Sequence, residues 1–343
     1  MNKISSFLKK KDIEISFKKY IVGAPSSMAM GLFATLLVGT ILKTVGEKLN
    51  IPFLYTVVWE LTSKMMGPAI GVAVAQGLKS PPLVLFASTV TGAAGAQFGG
   101  PVGAFIAALI GAEFGKLVSK ETKVDILVTT TVTLIIGILV AYYVGTPISK
   151  IMEYIGKFVI EATELRPFFM GIVVSVVVGI VLTLPISSAA LCMAIGLGGL
   201  AGGAATVGCS AQMIGFAVMS FKENGWGGFV AQGLGTSMLQ VGNIAKNWKI
   251  WIPPTLAGAI LGPISTLVLK FENIPIGSGM GTCGLVGQIG TITAMENIGY
   301  SGPKLYIGIL LLHFILPALI TLAIAVFMRK KNWIKDGDLK LEL

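Results

Sequence analysis

Charge is what this sequence has least of. Of its 343 residues only 12% are Asp, Glu, Lys or Arg, about half the ~25% of a soluble globular domain. Residues 1–20 hold eight charges and residues 329–343 another eight, which leaves 26 for the 308 residues between. A soluble fold cannot cover so much apolar chain, 54% hydrophobic with mean hydropathy +0.84, with so little polar surface. A soluble enzyme, a nucleic-acid binder and a disordered protein are excluded. Cysteine and histidine are also scarce. Three cysteines and one histidine, with no CxxC or Cys/His spacing, indicate neither a disulfide framework nor a zinc site. Cys192, Cys209 and Cys283 lie in apolar, glycine-rich stretches and read as small buried packing residues. No metal site, no cofactor and no nucleophile–base–acid constellation is indicated.

The charge that is present reports topology. Lys3, Lys9, Lys10, Lys11, Lys18 and Lys19 stand against only Asp12 and Glu14 at one end, and Arg329, Lys330 and Lys331 follow an apolar run at the other. Cytoplasmic flanks of membrane proteins are enriched in Lys and Arg, so both ends read as cytoplasmic and the number of crossings as even. The first 20 residues lack the apolar core and small-residue site of a cleavable signal. Ile4, Phe7, Leu8 and Ile15 fit either a short helix on the inner membrane surface or a solvated basic tail.

Eleven apolar runs of spanning character follow, at about 21–42, 52–78, 81–99, 101–118, 124–145, 166–184, 187–204, 206–221, 226–244, 250–270 and 304–328. An odd number conflicts with two cytoplasmic ends, so at least one run enters and leaves on the same face. The shortest, most glycine-broken runs, between 187 and 244, are the suspects. Residues 274–292 (with GSGMGTCGLVGQIG) are too glycine-rich for a plain spanning helix, and non-helical backbone at membrane depth must be enclosed by protein or line a wet cavity. The expected fold is an all-α integral membrane protein of about ten transmembrane helices with re-entrant hairpins and interfacial amphipathic helices.

Ile148, Ile151, Met152, Ile155, Phe158, Val159 and Ala162 recur at helical spacing opposite Lys150, Glu153, Lys157, Glu161 and Glu164. An amphipathic interfacial helix over 146–165 would join halves 21–145 and 166–328 of one transmembrane domain, flanked by tails 1–20 and 329–343. Pro25-Ser26-Ser27 resembles Pro185-Ile186-Ser187-Ser188, and Ala75-Gln76-Gly77-Leu78 recurs as Ala231-Gln232-Gly233-Leu234. The near-equal offsets fit an internal duplication, a frequent plan for transporters that hold solute where broken helices meet.

Gly279-x-Gly281-x-x-Gly284 matches the dinucleotide fingerprint only as a string. It lacks the strand before it, and Glu296 stands 12 residues past the last glycine instead of about 20. The glycines are better suited to freeing backbone groups for a polar solute, or to close helix packing, which alone would explain Gly196-x-Gly198-Gly199 and Gly202-Gly203. Seven amides, Gln76, Gln97, Gln212, Gln232, Gln240, Asn243 and Gln288, sit in or beside apolar segments. Singly each is explained by interhelical hydrogen bonding; together they point to a polar cavity for a neutral, hydroxyl-rich solute. Glu60 with Lys64 and Glu113 with Lys116 have the spacing to satisfy each other, but an intramembrane acid or histidine is a functional candidate by default. The candidate solute-contacting set is therefore Glu113, Glu60, Gln97, Gln232, Asn243, Gln288 and His313.

Met170-Gly171-Ile172-Val173 through Leu182-Thr183-Leu184-Pro185-Ile186-Ser187-Ser188-Ala189-Ala190 resembles the membrane (EIIC) component of the bacterial phosphotransferase system, in its stand-alone form without EIIA or EIIB. Gly31–Ala34, Gly39–Leu42, Gly279–Thr282 and Gly287-Gln288 point the same way, and the resemblance covers roughly residues 15–330. It implies a multi-pass permease in the bacterial plasma membrane that binds a sugar for phosphorylation by separate cytoplasmic EIIB and EIIA proteins, typically as a homodimer. By analogy Glu113 or Glu60 would hold the sugar, helped by Gln and Asn side chains. The Gly-Ile-Thr-Glu string of a major EIIC group is absent, and the chain carries no phosphoacceptor domain. A membrane sensor on the same fold and a transporter without phosphorylation are the competing readings.

Overall fold

The structure, a computed structural model, describes residues 3–13, 16 and 18–341, and among them every regular element is helical. Helix α1 covers Lys3–Lys10 and carries Phe7 and Leu8; Ile15 and the side chain of Ile4 lie outside the described residues. Six helices among the described residues are long and apolar enough to cross a membrane. The sequence reading of about ten counts runs that the structure divides or joins. Run 52–78 is cut at Met65, run 226–244 at Thr236, and runs 81–99 and 101–118 are the two arms of one element.

By its contacts the chain forms two units, Met1–Ile151 and Met152–Leu343. The first contains α2 (Ala24–Glu47), α3 (Trp59–Lys64), α4 (Met66–Gly77) and α5 (Pro82–Val118). Most of α6 (Asp125–Thr163) belongs to it as well. Helix α5 is a hairpin. Gly99 (φ −143°) and Gly100 (φ +60°, ψ −152°) leave helical geometry, the latter in a region open essentially to glycine alone. Pro101 then restarts a helix, where its fixed φ suits the first turn. A Cβ on Gly95 would lie 2.6 Å from the Ala104 Cα, although a straight helix would place those residues roughly 13 Å apart. The tip is held on α6, where Ser149 donates to the Phe98 carbonyl at 2.8 Å. Helix α6 runs unbroken through the expected connector 146–165, so that amphipathic stretch is its C-terminal part. At 39 residues it is roughly 58 Å long, about twice the ~30 Å hydrocarbon core, and its charged end must lie outside that core.

The second unit is built around α9 (Gly199–Met219), which follows α7 (Pro167–Thr183) and the short α8 (Ser188–Ala194). Helix α9 has 21 residues, roughly 31 Å, one bilayer core. Its composition, GLAGGAATVGCSAQMIGFAVM, is mostly small residues, and small residues let backbones approach where lipid supplies no hydrophobic drive. At Gly208 a Cβ would meet the Ser175 carbonyl carbon at 2.5 Å, and Gly258 approaches from the other side at 3.5 Å. Ser175 bonds the Gly258 carbonyl at 2.9 Å, which closes a three-helix contact with α12 below. Then come α10 (Phe221–Val230), α11 (Val241–Lys246), α12 (Trp248–Leu269), α13 (Val286–Asn297) and α14 (Pro303–Lys330). Within the unit α12 runs antiparallel to α9: Gly215 faces Pro254, Gly208 faces Gly258, and Gly203 faces Phe271 just beyond α12.

Candidate functional site

Two segments of the second unit, one leaving the C-terminal end of α9 and one following α12 against the N-terminal end of α9, turn back on themselves. Residues 221–247 start at the C-terminal end of α9. The chain breaks at Gly225 (φ +57°, ψ −157°), so the outgoing arm is the part of α10 after it, extended by a π-helical turn, Ala231–Gly235, and the return arm is Ser237–Gln240 with α11. The arms are joined side by side, since Gln240 Nε2 donates to Gln232 Oε1 at 2.8 Å. The chain turns at Thr236, which is fully extended (φ −161°, ψ 142°).

Residues 271–297 form the second hairpin, based at the N-terminal end of α9. Asn273 N donates to the Gly199 carbonyl at 3.1 Å, and Gly277 in one arm approaches Gly290 in the other. This hairpin turns through Gly281 (φ +52°), Gly284 (φ +52°) and Leu285 (φ +60°). A left-handed leucine is a strained position, of the kind that collects at functional sites.

The tips meet beside the middle of α9. Thr282 Oγ1 donates to the Gly233 carbonyl at 2.5 Å, and a Cβ on Gly281 would sit 2.7 Å from the Cys209 backbone. Cys209 is the central residue of the 21 in α9. Two half-length hairpins entering from opposite ends and touching at mid-depth is the arrangement in which secondary transporters hold solute.

Polar groups gather around this point. Gln212 on α9 receives Trp251 Nε1 at 3.0 Å and Thr183 Oγ1 at 3.3 Å, and donates to Thr255 Oγ1 at 3.0 Å. Thr183, the last residue of α7, also meets Ser237 of the first hairpin at 2.8 Å. The amides Gln232, Gln240 and Asn243 form a relay. Gln232 donates to Ser220 Oγ and the Gly228 carbonyl, and Asn243 donates to Gln240 Oε1 at 2.8 Å. The relay ends on the chain's own C-terminal segment, at the Leu339 and Lys340 carbonyls.

Gln288 on α13 and His313 on α14 differ from these satisfied groups. They are 5% and 0% exposed and meet through Gln288 Nε2 and His313 Nδ1 at 3.1 Å. Gln288 Oε1 and His313 Nε2 are buried without a hydrogen-bond partner. Buried polar groups are rarely left so, and each costs about 1–3 kcal/mol unpaired. His313 lies in a π-helical turn, Leu311–Ile315, a feature that often marks function in a helix, and the Phe271 ring stands edge-on to it. The pair therefore presents two unfilled hydrogen-bonding positions of neutral character.

The remaining candidates belong to the first unit. Glu60 is 63% exposed and bonds Lys64, itself 65% exposed, at 2.6 Å. Gln97 is exposed on α5 near the hairpin tip. Glu113 lies 3.5 Å from Lys116 and 3.8 Å from Lys19. Lys116 is 1% exposed and donates to the Asp12 and Leu78 carbonyls at 2.8 and 2.9 Å. Glu113 and burial together raise the Tyr20 phenol above its ordinary pKa, burial being the larger cause. This cluster ties Lys11, Asp12, Lys19 and Tyr20 to the ends of α4 and α5, with Lys11 bridging to Glu121 and the Ser119 carbonyl. Both acids are thus engaged with lysines. Glu113→Gln, which strands Lys116, should cost on the order of 2–3 kcal/mol, the low end for a broken buried pair because two carbonyls remain. Glu60→Gln should leave the melting temperature unchanged. Thermal unfolding of the purified variants in detergent checks both; equal melting of the two would refute the ion-pair role of Glu113.

The organising residue of the second hairpin is Asn273, absent from the sequence-derived set. Its side-chain amide donates to Thr206 Oγ1, the Gly287 carbonyl and Thr291 Oγ1 at 2.5, 2.9 and 3.1 Å, and its Oδ1 receives Ile274 N at 2.7 Å. Between Lys270 and Glu272 on one side and Ile274-Pro275 on the other it reads as an ordinary exposed loop residue. The one sequence signal was the glycine pair Gly202-Gly203, whose missing side chains let this segment press onto α9.

No curated protein and no solved structure matches this sequence. The family described as "Phosphotransferase system, EIIC" matches residues 23–341, a span that includes every element from α2 through the C-terminal segment. With a hairpin-based, charge-poor polar centre and that match over nearly its whole length, the chain belongs to the EIIC family of the phosphotransferase system.

Proposed function

We propose that this protein is the permease subunit of a phosphoenolpyruvate-dependent sugar phosphotransferase system. In this reading it carries a neutral sugar across the bacterial plasma membrane to a separate EIIB, itself charged by EIIA. The observation that carries the proposal is the meeting of the two hairpin tips, Thr282 on Gly233, beside the centre of α9. Each hairpin returns to the end of α9 beside which it starts and so adds nothing to an even number of crossings, about ten by hydropathy, with both termini cytoplasmic. A homodimer follows from the family habit.

The unfilled positions on Gln288 and His313 supply the solute contact. They offer a donor and an acceptor without net charge, the pairing a sugar hydroxyl can use on both sides. No buried carboxylate shares that pair, which favours a neutral solute over a cation. Gln232 and Asn243 spend their donors elsewhere and act by shaping the first hairpin. Glu60, Gln97 and Glu113 support the first unit.

Uptake of a sugar panel in cells with and without the gene tests the assignment. Loss of phosphoenolpyruvate-dependent uptake of one sugar is expected. An unchanged panel would reject it in favour of a membrane sensor or a transporter of another solute. For the sugar affected, His313→Ala and Gln288→Leu should each reduce uptake at least tenfold at unchanged membrane abundance, since a lost hydrogen bond in a buried site costs about 1–3 kcal/mol. Normal uptake in both variants would remove the pair from the solute path.

A further inference from the structure

The amide relay of the first hairpin ends on a segment that the transport reading does not use. Helix α14 stops at Lys330, and Asn332 (φ +56°) turns the chain back over its end, with Trp333 N bonded to the Met328 carbonyl at 3.0 Å. Residues 333–341 then cross the base of the first hairpin and touch both its entry turn and its return arm. In the entry turn, just before the break at Gly225, Asn224 Nδ2 donates to the Leu339 carbonyl at 2.9 Å, and Asn224 Oδ1 receives Leu341 N at 2.8 Å. On the return arm Gln240 and Asn243 donate to the Leu339 and Lys340 carbonyls at 3.0 and 2.9 Å. Just beyond it Asn247 Nδ2 reaches Asp338 at 2.7 Å.

Two side chains five residues apart anchor the segment. Ile334 and Leu339, 2% and 0% exposed, pack with Phe216, Met219, Ile244 and Met328. Around them the contacts are of a weaker kind. Asp336 bonds Lys222 at 3.0 Å and Arg329 at 2.8 Å, and Asp336 and Lys222 are largely exposed; exposed pairs contribute little and yield to salt. The segment is thus held by backbone carbonyls on a row of amides, two apolar anchors and a solvated ionic clasp.

We propose that the base of the 221–247 hairpin is a peptide-binding cleft, that its occupant is the chain's own segment Trp333–Leu341, and that this occupancy latches the hairpin closed. The recognition is that of a turned segment, closed on itself by Asp338 N to the Lys335 carbonyl and Lys340 N to the Gly337 carbonyl. Amide donors take the consecutive Leu339 and Lys340 carbonyls, and two aliphatic side chains five residues apart are buried. Because the segment bonds both the entry turn and the return arm, it must leave, or move with them, before the base opens. The hairpin's other ties, Gln232 to Ser220, Ser237 to Thr183 and the tip contact with Thr282, do not involve this segment.

Hydrogen exchange of the purified full-length protein in nanodiscs tests the latch. Leu339→Asp, which removes one anchor, should speed exchange of amides 226–240 at least tenfold while those of α9 and α6 stay as in the wild type. Adding a synthetic peptide of residues 332–343 should restore protection, and the same peptide with Leu339→Asp should not. Should Leu339→Asp fail to accumulate, Asn224→Ala with Asn243→Ala keeps both anchors and should give the same local pattern at smaller amplitude. Unchanged exchange in the hairpin would overturn the proposal. So would acceleration spread evenly through the second unit, which would make Leu339 an ordinary core residue. The consequence for transport rests on the reading in the preceding subsection. Exchange that responds as expected while sugar uptake does not would leave the latch standing and remove the hairpin from the solute path.

Discussion

Asn273→Leu is expected to destabilise the second unit by about 3–4 kcal/mol, at the upper end for a single substitution. The four hydrogen bonds of Asn273 are unequal. Thr206 and Thr291 also donate their hydroxyl protons to the Gly202 and Gly287 carbonyls, so they lose only an accepted bond. The Ile274 N–H loses its partner outright, and an orphaned buried backbone donor carries the full desolvation cost, about 1–3 kcal/mol. Leucine has nearly the same volume but also puts methyl groups against Gly277 and Gly290, whose close approach is shaped to the amide. A melting temperature roughly 6–16 °C lower is expected for a unit of this size, with the hairpin tip becoming the first site of proteolysis. Asp would not rescue, because an ionised carboxylate accepts only and three of the four contacts need a donor. A variant that melts like the wild type would show that Asn273 is incidental to the hairpin.

The second large effect is expected at Gly208. Here α7, α9 and α12 come together, and even a methyl group would fall 2.5 Å from the Ser175 carbonyl carbon. The neighbouring atoms are backbone and cannot rotate away, so Gly208→Val must push α7 off α9 by an ångström or more. In lipid that contact is the driving force itself, because helices there associate through close packing and not through escape from water. A loss of folded protein of tenfold or more is expected, read by size-exclusion chromatography of detergent extracts. Gly227→Ala is the control, since nothing lies within 4 Å of its Cβ position and its yield should be unchanged. Equal yields of the two variants would contradict the three-helix contact.

These two residues also mark how far the sequence could be read. The charge count and glycine-broken runs led to an all-helical membrane fold with re-entrant segments. Folding back of 226–244 at Thr236 and of 274–292 at Gly281 accords with that reasoning, because glycine and polar residues interrupt apolar runs there. The runs 81–99 and 101–118 are divided at Gly99-Gly100-Pro101, where the α5 hairpin turns. What hydropathy could not report is which small residue faces which. Gly208 and Gly227 are equivalent as letters and opposite in surroundings. The amides show the same limit: Gln232 and Asn243 look as free as Gln288, but Gln232 is consumed by Ser220, Gly228 and Gln240, and Asn243 by Gln240 and a C-terminal segment over 90 residues away. Asn273 was hidden because its burial depends on Gly199–Gly203, distant in sequence and featureless in composition.

The shortness of the hairpin arms has a consequence for how the protein is made. The outgoing arm between the break at Gly225 and the end of the π-helical turn at Gly235 reaches roughly 15 Å and cannot be released into lipid by itself, since its open turn would leave backbone groups unpaired. Helix α9 is little better suited, because almost all of its apolar window is enclosed by protein whereas that of α14 is mostly exposed. Within the second unit α12 and α14, the long helices with lipid-facing sides, must therefore be placed before α9 and its two hairpins settle against them. The segment after α14 is synthesised later than both arms of the first hairpin, so the base of that hairpin cannot close until some 97 residues beyond Asn243 have been made.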